Sequence, residues 1–162
     1  MPDREYQLKR KLEPLRARYD FLILDCPPSL GFLTLNALTA ADGILVPVQC
    51  EYLALEGITQ LMDTLEKIRA ALNPGLAIEG VLMTMFDERT NLSRQVVDEV
   101  REVFGDQVFR TVIPRNIRLG EAPSHGKPIF LYDIKSRGAE AYLSLAQEFL
   151  QHETQSVGQG AP

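Results

Sequence analysis

Residues 21–31 read Phe-Leu-Ile-Leu-Asp-Cys-Pro-Pro-Ser-Leu-Gly, and the fold turns on the first five. Four apolar residues in a row, with no polar alternation, are the pattern of a strand covered on both faces, as in a parallel sheet. Asp25 closes the run, and Pro27-Pro28 stops it because proline brings no N–H to a ladder. Working outward, similar runs recur at residues 44–48 (Ile-Leu-Val-Pro-Val), 77–84 (Ala-Ile-Glu-Gly-Val-Leu-Met-Thr) and 108–113. Helical patterns separate them. Residues 4–18 put Leu8, Leu12 and Leu15 on one face, with Pro14 kinking or restarting the helix. A second helical stretch runs through Leu30, Leu33 and Leu38 to Ala41. Leu55, Ile58, Leu61, Leu65, Ile68 and Leu72 recur at helical spacing until Asn73-Pro74-Gly75 ends the turn. Asn91 or Ser93 caps a helix carrying Val96, Val100 and Val103, which Gly105 closes. Residues 138–150 form a last amphipathic helix. Strands alternating with helices predict an α/β fold with a parallel, doubly wound sheet. Residues 1–150 read as one domain and residues 151–162 as a polar, disordered tail.

Composition narrows the function classes. The chain of 162 residues is 45% hydrophobic, which suffices for a real core. A net charge of -5 argues against wholesale nucleic-acid binding and leaves room for a local basic patch. Such a patch is visible over residues 108–127, where Arg110, Arg115, Arg118 and Lys127 face one acid, Glu121. On composition alone that stretch reads as a solvated surface. Cys26 and Cys50 lack metal-type spacing and read as small buried hydrophobes in a reducing compartment. His125 and His152 have no neighbouring ligand residues in the sequence. No apolar run approaches the roughly 20 residues of a membrane helix, and the opening MPDREYQLKR is no signal peptide.

The chemistry starts at Asp25. Ligands of parallel sheets sit at the carboxyl ends of the strands, and an aspartate there can hold a magnesium ion through water beside a nucleotide's phosphates. The run 21–25 is therefore Walker-B-like, although a buried strand ending in aspartate is just as often purely structural. The surrounding residues sharpen the reading. Asp25-Cys26-Pro27-Pro28-Ser29-Leu30-Gly31, residues 46–52 (Val-Pro-Val-Gln-Cys-Glu-Tyr) with Ala54-Leu55-Glu56-Gly57, and residues 84–93 (Thr-Met-Phe-Asp-Glu-Arg-Thr-Asn-Leu-Ser) form one set. Residues 113–119 (Ile-Pro-Arg-Asn-Ile-Arg-Leu), 121–128 (Glu-Ala-Pro-Ser-His-Gly-Lys-Pro) and Ser136-Arg137-Gly138-Ala139 complete it. Together, over residues 4–150, these motifs resemble the ParA/Soj-type chromosome- or plasmid-partitioning ATPases, which are P-loop NTPases of the ParA/MinD-like, deviant Walker A kind.

The resemblance implies a set of roles. Asp25 would hold Mg2+ through water. Met85, Pro114 and Arg115 match the region that holds the adenine of ATP, and Arg89 and Arg118 match arginines that meet DNA without sequence preference. It also implies an ATP-dependent homodimer, hydrolysis stimulated by a ParB/Spo0J-like partner, and a cytoplasmic, nucleoid-associated protein with no membrane attachment.

One part of that family's site is not in these residues. The deviant Walker A loop, Lys-Gly-Gly-x-Gly-Lys-Ser/Thr, does not occur in the sequence. Gly120 and Gly126-Lys127 imitate it faintly, but five residues separate the glycines where four are needed, and Pro128 stands where Ser or Thr should meet magnesium. The resemblance places the loop ahead of Met1, so the chain is expected to be the C-terminal part of such an ATPase and inactive alone. The alternatives are a non-catalytic DNA- or partner-binding remnant and a MinD-like membrane-associated ATPase. The second is disfavoured because residues 151–162 contain no Lys or Arg.

Overall fold

The computed structural model describes residues 3–27, 29 and 31–158, so Pro28 and Leu30 of the opening stretch lie outside the described residues. Helices α1 (Gln7–Leu12), α2 (Phe32–Ala40), α3 (Ala54–Ala71), α4 (Asn91–Phe104), α5 (Ile117–Glu121), α6 (Ile129–Tyr132) and α7 (Arg137–Gly158) accompany strands β1 (Gly43–Gln49) and β2 (Ala77–Thr84). The two strands pair in parallel. Ala77 N–H donates to the Asp42 carbonyl at one end (3.0 Å), and Cys50 N–H donates to the Thr84 carbonyl at the other (2.9 Å).

The chain divides into two compact units, residues 1–44 with 59–79 and residues 45–58 with 80–162. In the first, the stripe read from the sequence enters the core from Leu61 to Leu72, while Leu55 and Ile58 fall in the second unit. Leu65 and Ile68 of α3 are buried with Leu76 and pack against Leu35, Leu38, Ile44 and Leu61. A helix leaves its last carbonyls unpaired, and here buried Asn73 supplies the donors. Its amide donates to Leu38 O (2.9 Å) and Ala41 O (2.8 Å), fixing the end of α2. The first helical stretch is shorter than the expected 4–18: α1 ends at Leu12, a 3-10 turn over Glu13–Leu15 carries Pro14, and residues 16–18 are turn.

In the second unit, Leu82, Phe109, Ile113 and Leu145 form one buried cluster, and Ala122, Ile129 and Ala139 a smaller one. Gly80 is required here because a Cβ would strike the ring of Phe109. The buried face of α4 is Ser93, Val96, Val97 and Val100. Val103, expected on that face, is 70% exposed at the last turn.

Several expectations are corrected. Residues 21–25 take no regular secondary structure and lie outside the sheet, with Phe21 and Leu22 exposed and Ile23 92% exposed. An apolar run becomes a strand only when a neighbour takes up its N–H and C=O groups, and β1 and β2 pair with each other. Residues 108–113 are not a regular strand either. They touch β2 through one isolated parallel bridge, Val81 with Val108, and a second bridge, Phe86 with Pro114, lies just past the ends of both segments. Phe109 N–H donates to Val81 O, yet it is Ile113 N–H that donates to Met83 O, so the segment spends four residues where β2 spends two. The excess is a bulge. The Glu148 carboxylate of α7 accepts the freed N–H groups of Arg110 (2.6 Å) and Thr111 (2.9 Å). The cap of α4 is Thr90, whose side chain accepts from Ser93 N–H, not Asn91 or Ser93. Residues 151–158 continue α7 as helix, where the sequence suggested a disordered tail, and His152 stacks on Phe109 (centroids 5.6 Å apart). Residues 159–162 lie outside the described residues.

Candidate functional site

The carboxyl end of β2 gathers three of the residues singled out from the sequence. Past Thr84, the backbone of Met85 turns with φ 55°, a left-handed conformation that a side chain with a Cβ adopts at a cost of about 1–3 kcal/mol. The turn delivers Phe86 into the bridge with Pro114. Phe86 N–H donates to Ile113 O (3.1 Å), and Arg115 N–H donates to Phe86 O (2.8 Å). The donors and acceptors come from the residues flanking Pro114, so its missing N–H costs nothing at this point. Met85, Pro114 and Arg115 thus lie on two adjoining segments held by four backbone groups. All three are at least partly accessible.

Arg115 is not free at this site. Its Nη2 lies 2.8 Å from Glu51 Oε1, just past the end of β1. Glu51 also helps to line a hollow of about 410 Å³ with Gln49, Tyr52, Leu53 and Ala54. Glu51 stood in a quoted motif without a role, and nothing local could have assigned one, because its partner is 64 residues away.

The loop after Met85 is tied down. The Ser93 hydroxyl accepts from Asp87 N–H (3.3 Å) and donates to the carbonyl of Cys50 (3.4 Å). Arg94 donates to Glu88 O (2.8 Å). Within this loop Arg89 is 85% exposed and clasps Asp87 with two nitrogens, at 2.9 and 2.7 Å. That guanidinium and the Arg89 amide hold the Asp87 carboxyl well below the ordinary carboxylate range. Arg118, at the start of α5, pairs with Glu121 (2.8 Å) and Asp133 (3.4 Å). Glu121 is pulled down in turn by Arg118 and by the Tyr132 hydroxyl, which donates to it at 3.0 Å. The basic excess seen in sequence over residues 108–127 is thus offset in space by Glu51 and Asp133, acids from outside that stretch.

Asp25 belongs to the other unit, on an exposed segment without regular secondary structure, and is not held at a strand end. Among the described residues, no group of three His, Cys, Asp or Glu side chains could hold a metal. Cys26 is exposed, against the expectation of burial, while Cys50 is buried as expected.

Comparison with known proteins places this arrangement. A family model described as an AAA domain matches residues 1–78. The chain is 62% identical over 145 residues to the sporulation initiation inhibitor protein Soj of Bacillus subtilis, covering 90% of this chain and 57% of that protein. It is 57% identical over 152 residues to the chromosome partitioning protein ParA of Myxococcus xanthus, covering 94% of this chain and 54% of that protein. Among solved structures, it is similar to the cobyrinic acid a,c-diamide synthase of Mycobacterium smegmatis with bound ADP and magnesium. That match has a TM-score of 0.78 and 39% identity, and covers 96% of this chain and 56% of that one. The chain spans about half the length of the curated relatives it matches. Its α/β fold with a parallel sheet is that of the P-loop NTPases, and over the residues it spans the chain belongs to the Soj/ParA family of chromosome-partitioning proteins, matching their C-terminal part.

Proposed function

We propose that this chain is the part of a ParA/Soj-type partitioning ATPase that receives the adenine base and meets DNA, and that by itself it binds without turning over ATP. The observation that supports this most is the loop from Met85 to Arg89. One end of it is bridged to Pro114 and Arg115, and the other presents an exposed arginine. A base held between Met85 and Pro114 would therefore bear on the same short loop that carries Arg89 to a phosphate. Arg118 is the second DNA contact in this reading.

The residues present fit a nucleotide at one end only. A thioether, a proline ring and the backbone groups around them suit a flat base. The phosphate end does not fit, because the sequence holds no Walker A loop and, among the described residues, Asp25 belongs to no group of three His, Cys, Asp or Glu side chains, so no chemical step is assigned to this chain. In the complete protein, ATP and Mg2+ would drive homodimerisation and coating of the nucleoid, and a ParB/Spo0J-like partner would stimulate hydrolysis. No helix among the described residues is long and apolar enough to cross a membrane.

The test is a titration of the chain with duplex DNA of mixed sequence over a salt series. Each arginine that meets a phosphate releases about one counterion, so Arg89→Ala with Arg118→Ala should weaken binding and flatten the log–log salt slope by about two. Unchanged affinity and slope in the double variant would contradict the assignment.

A further inference from the structure

Arg89 and Arg118 lie in separate stretches of sequence, and the start of α7 touches the chain neighbour of each. Arg137 opens α7. Its Nη2 lies 2.9 Å from Glu88 Oε1, and Glu88 is the residue before Arg89. The next residue, Gly138, is pressed against Leu119, the neighbour of Arg118, so closely that a Cβ at 138 would come within 2.6 Å of Leu119 Cγ. One side of Arg137 therefore adjoins the Arg89 loop, and its following residue adjoins the Arg118 helix.

The Arg137 side chain is 70% exposed, and Glu88 engages one of its terminal nitrogens. A guanidinium carries five N–H donors, so donors remain for a phosphate. The Glu88 pair is itself exposed (61% on the glutamate side), and exposed pairs hold weakly enough for a phosphate to share or displace them. The chain as a whole is acidic, with a net charge of -5, so attraction to a polyanion must be concentrated in local groups of this kind.

We infer that Arg137 is a third DNA-phosphate contact, seated between Arg89 and Arg118. This rests on the reading of those two arginines given above. The strip then consists of three cations drawn from the β2–α4 loop, α5 and the first turn of α7, the last two elements held together by the packing of Gly138 on Leu119.

The competing role for Arg137 is a structural clasp on Glu88, and substitutions in the chain separate the two, with mixed-sequence duplex DNA as the probe. Arg137→Ala should weaken binding several-fold and lower the salt slope by about one, whereas Arg137→Lys should retain the slope, since a phosphate accepts either cation. Glu88→Gln should leave binding equal or stronger, because it removes a competing negative charge. If Glu88→Gln weakens binding as much as Arg137→Ala, and Arg137→Lys does not rescue, the clasp explains the data and the inference falls. If Arg89→Ala with Arg118→Ala weakens binding but Arg137→Ala does not, this inference falls alone. If that double variant leaves binding intact, the underlying reading falls with it. Absence of salt-sensitive binding by the unsubstituted chain at low salt overturns both. Melting curves confirm that each variant is folded.

Discussion

At the scale of single residues, chemistry that looks alike in sequence separates in space. Cys26 and Cys50 are both cysteines flanked by site motifs, yet only Cys50 is enclosed, at 2% exposure. Burial pushes its thiol up to about 11, so at neutral pH it is uncharged as well as inaccessible. Iodoacetamide at neutral pH should therefore modify Cys26 in the folded chain and reach Cys50 only after unfolding. Peptide mapping that found Cys50 labelled as fast as Cys26 under native conditions would contradict the burial. The candidate residues show the same divide. Met85, Pro114, Arg115, Arg89 and Arg118 could be named from motifs, but their partners could not. Glu51 reaches Arg115 and Glu88 reaches Arg137 across 64 and 49 positions, and only the fold brings such residues together.

At the scale of elements, what the sequence announced well was periodic burial. The stripe of α3 and the apolar runs of β1 and β2 are local patterns, and each is an element in the structure. What it announced poorly depends on a second segment. Residues 21–25 carry the composition of a buried strand, but strand formation needs a ladder neighbour. Residues 108–113 carry the composition of another, but their bulge is set by Glu148, 37 and 38 positions further on. That carboxylate yields a prediction. Burial raises the pKa of Glu148, but the hydroxyl of Thr111 and the amides of Arg110 and Thr111 outweigh it, so the net shift is downward from the ordinary 4.5. A depressed carboxylate contributes its stability above the ordinary value and loses it as pH falls through the folded value. The chain should thus lose part of its stability below about pH 4.5, and Glu148→Gln should shrink that loss. Glu148→Ala, which leaves two N–H groups without their acceptor, should cost about 1–3 kcal/mol at neutral pH. Thermal melts across pH check both. An acid profile of Glu148→Gln identical to that of the parent chain would show that the bulge does not depend on this charge.

At the scale of the whole molecule, the account separates binding from chemistry. The loops at the carboxyl ends of β1 and β2 are ordered by backbone bridges, a buried serine and paired arginines, which is the preorganisation a binding surface needs. Phosphoryl transfer asks for something else. It draws on backbone N–H groups and a lysine arrayed around the phosphates together with a metal, and catalysis is almost entirely that positioning and charge. None of the 162 residues forms the Walker A loop that would provide it, and Asp25 is exposed and outside the sheet. The measurement that tests this most directly is phosphate release by the purified chain with ATP and Mg2+, with Asp25→Ala as the control. The account predicts no turnover above background, with or without DNA, and no difference between the two proteins. Steady turnover that is abolished by Asp25→Ala would contradict it.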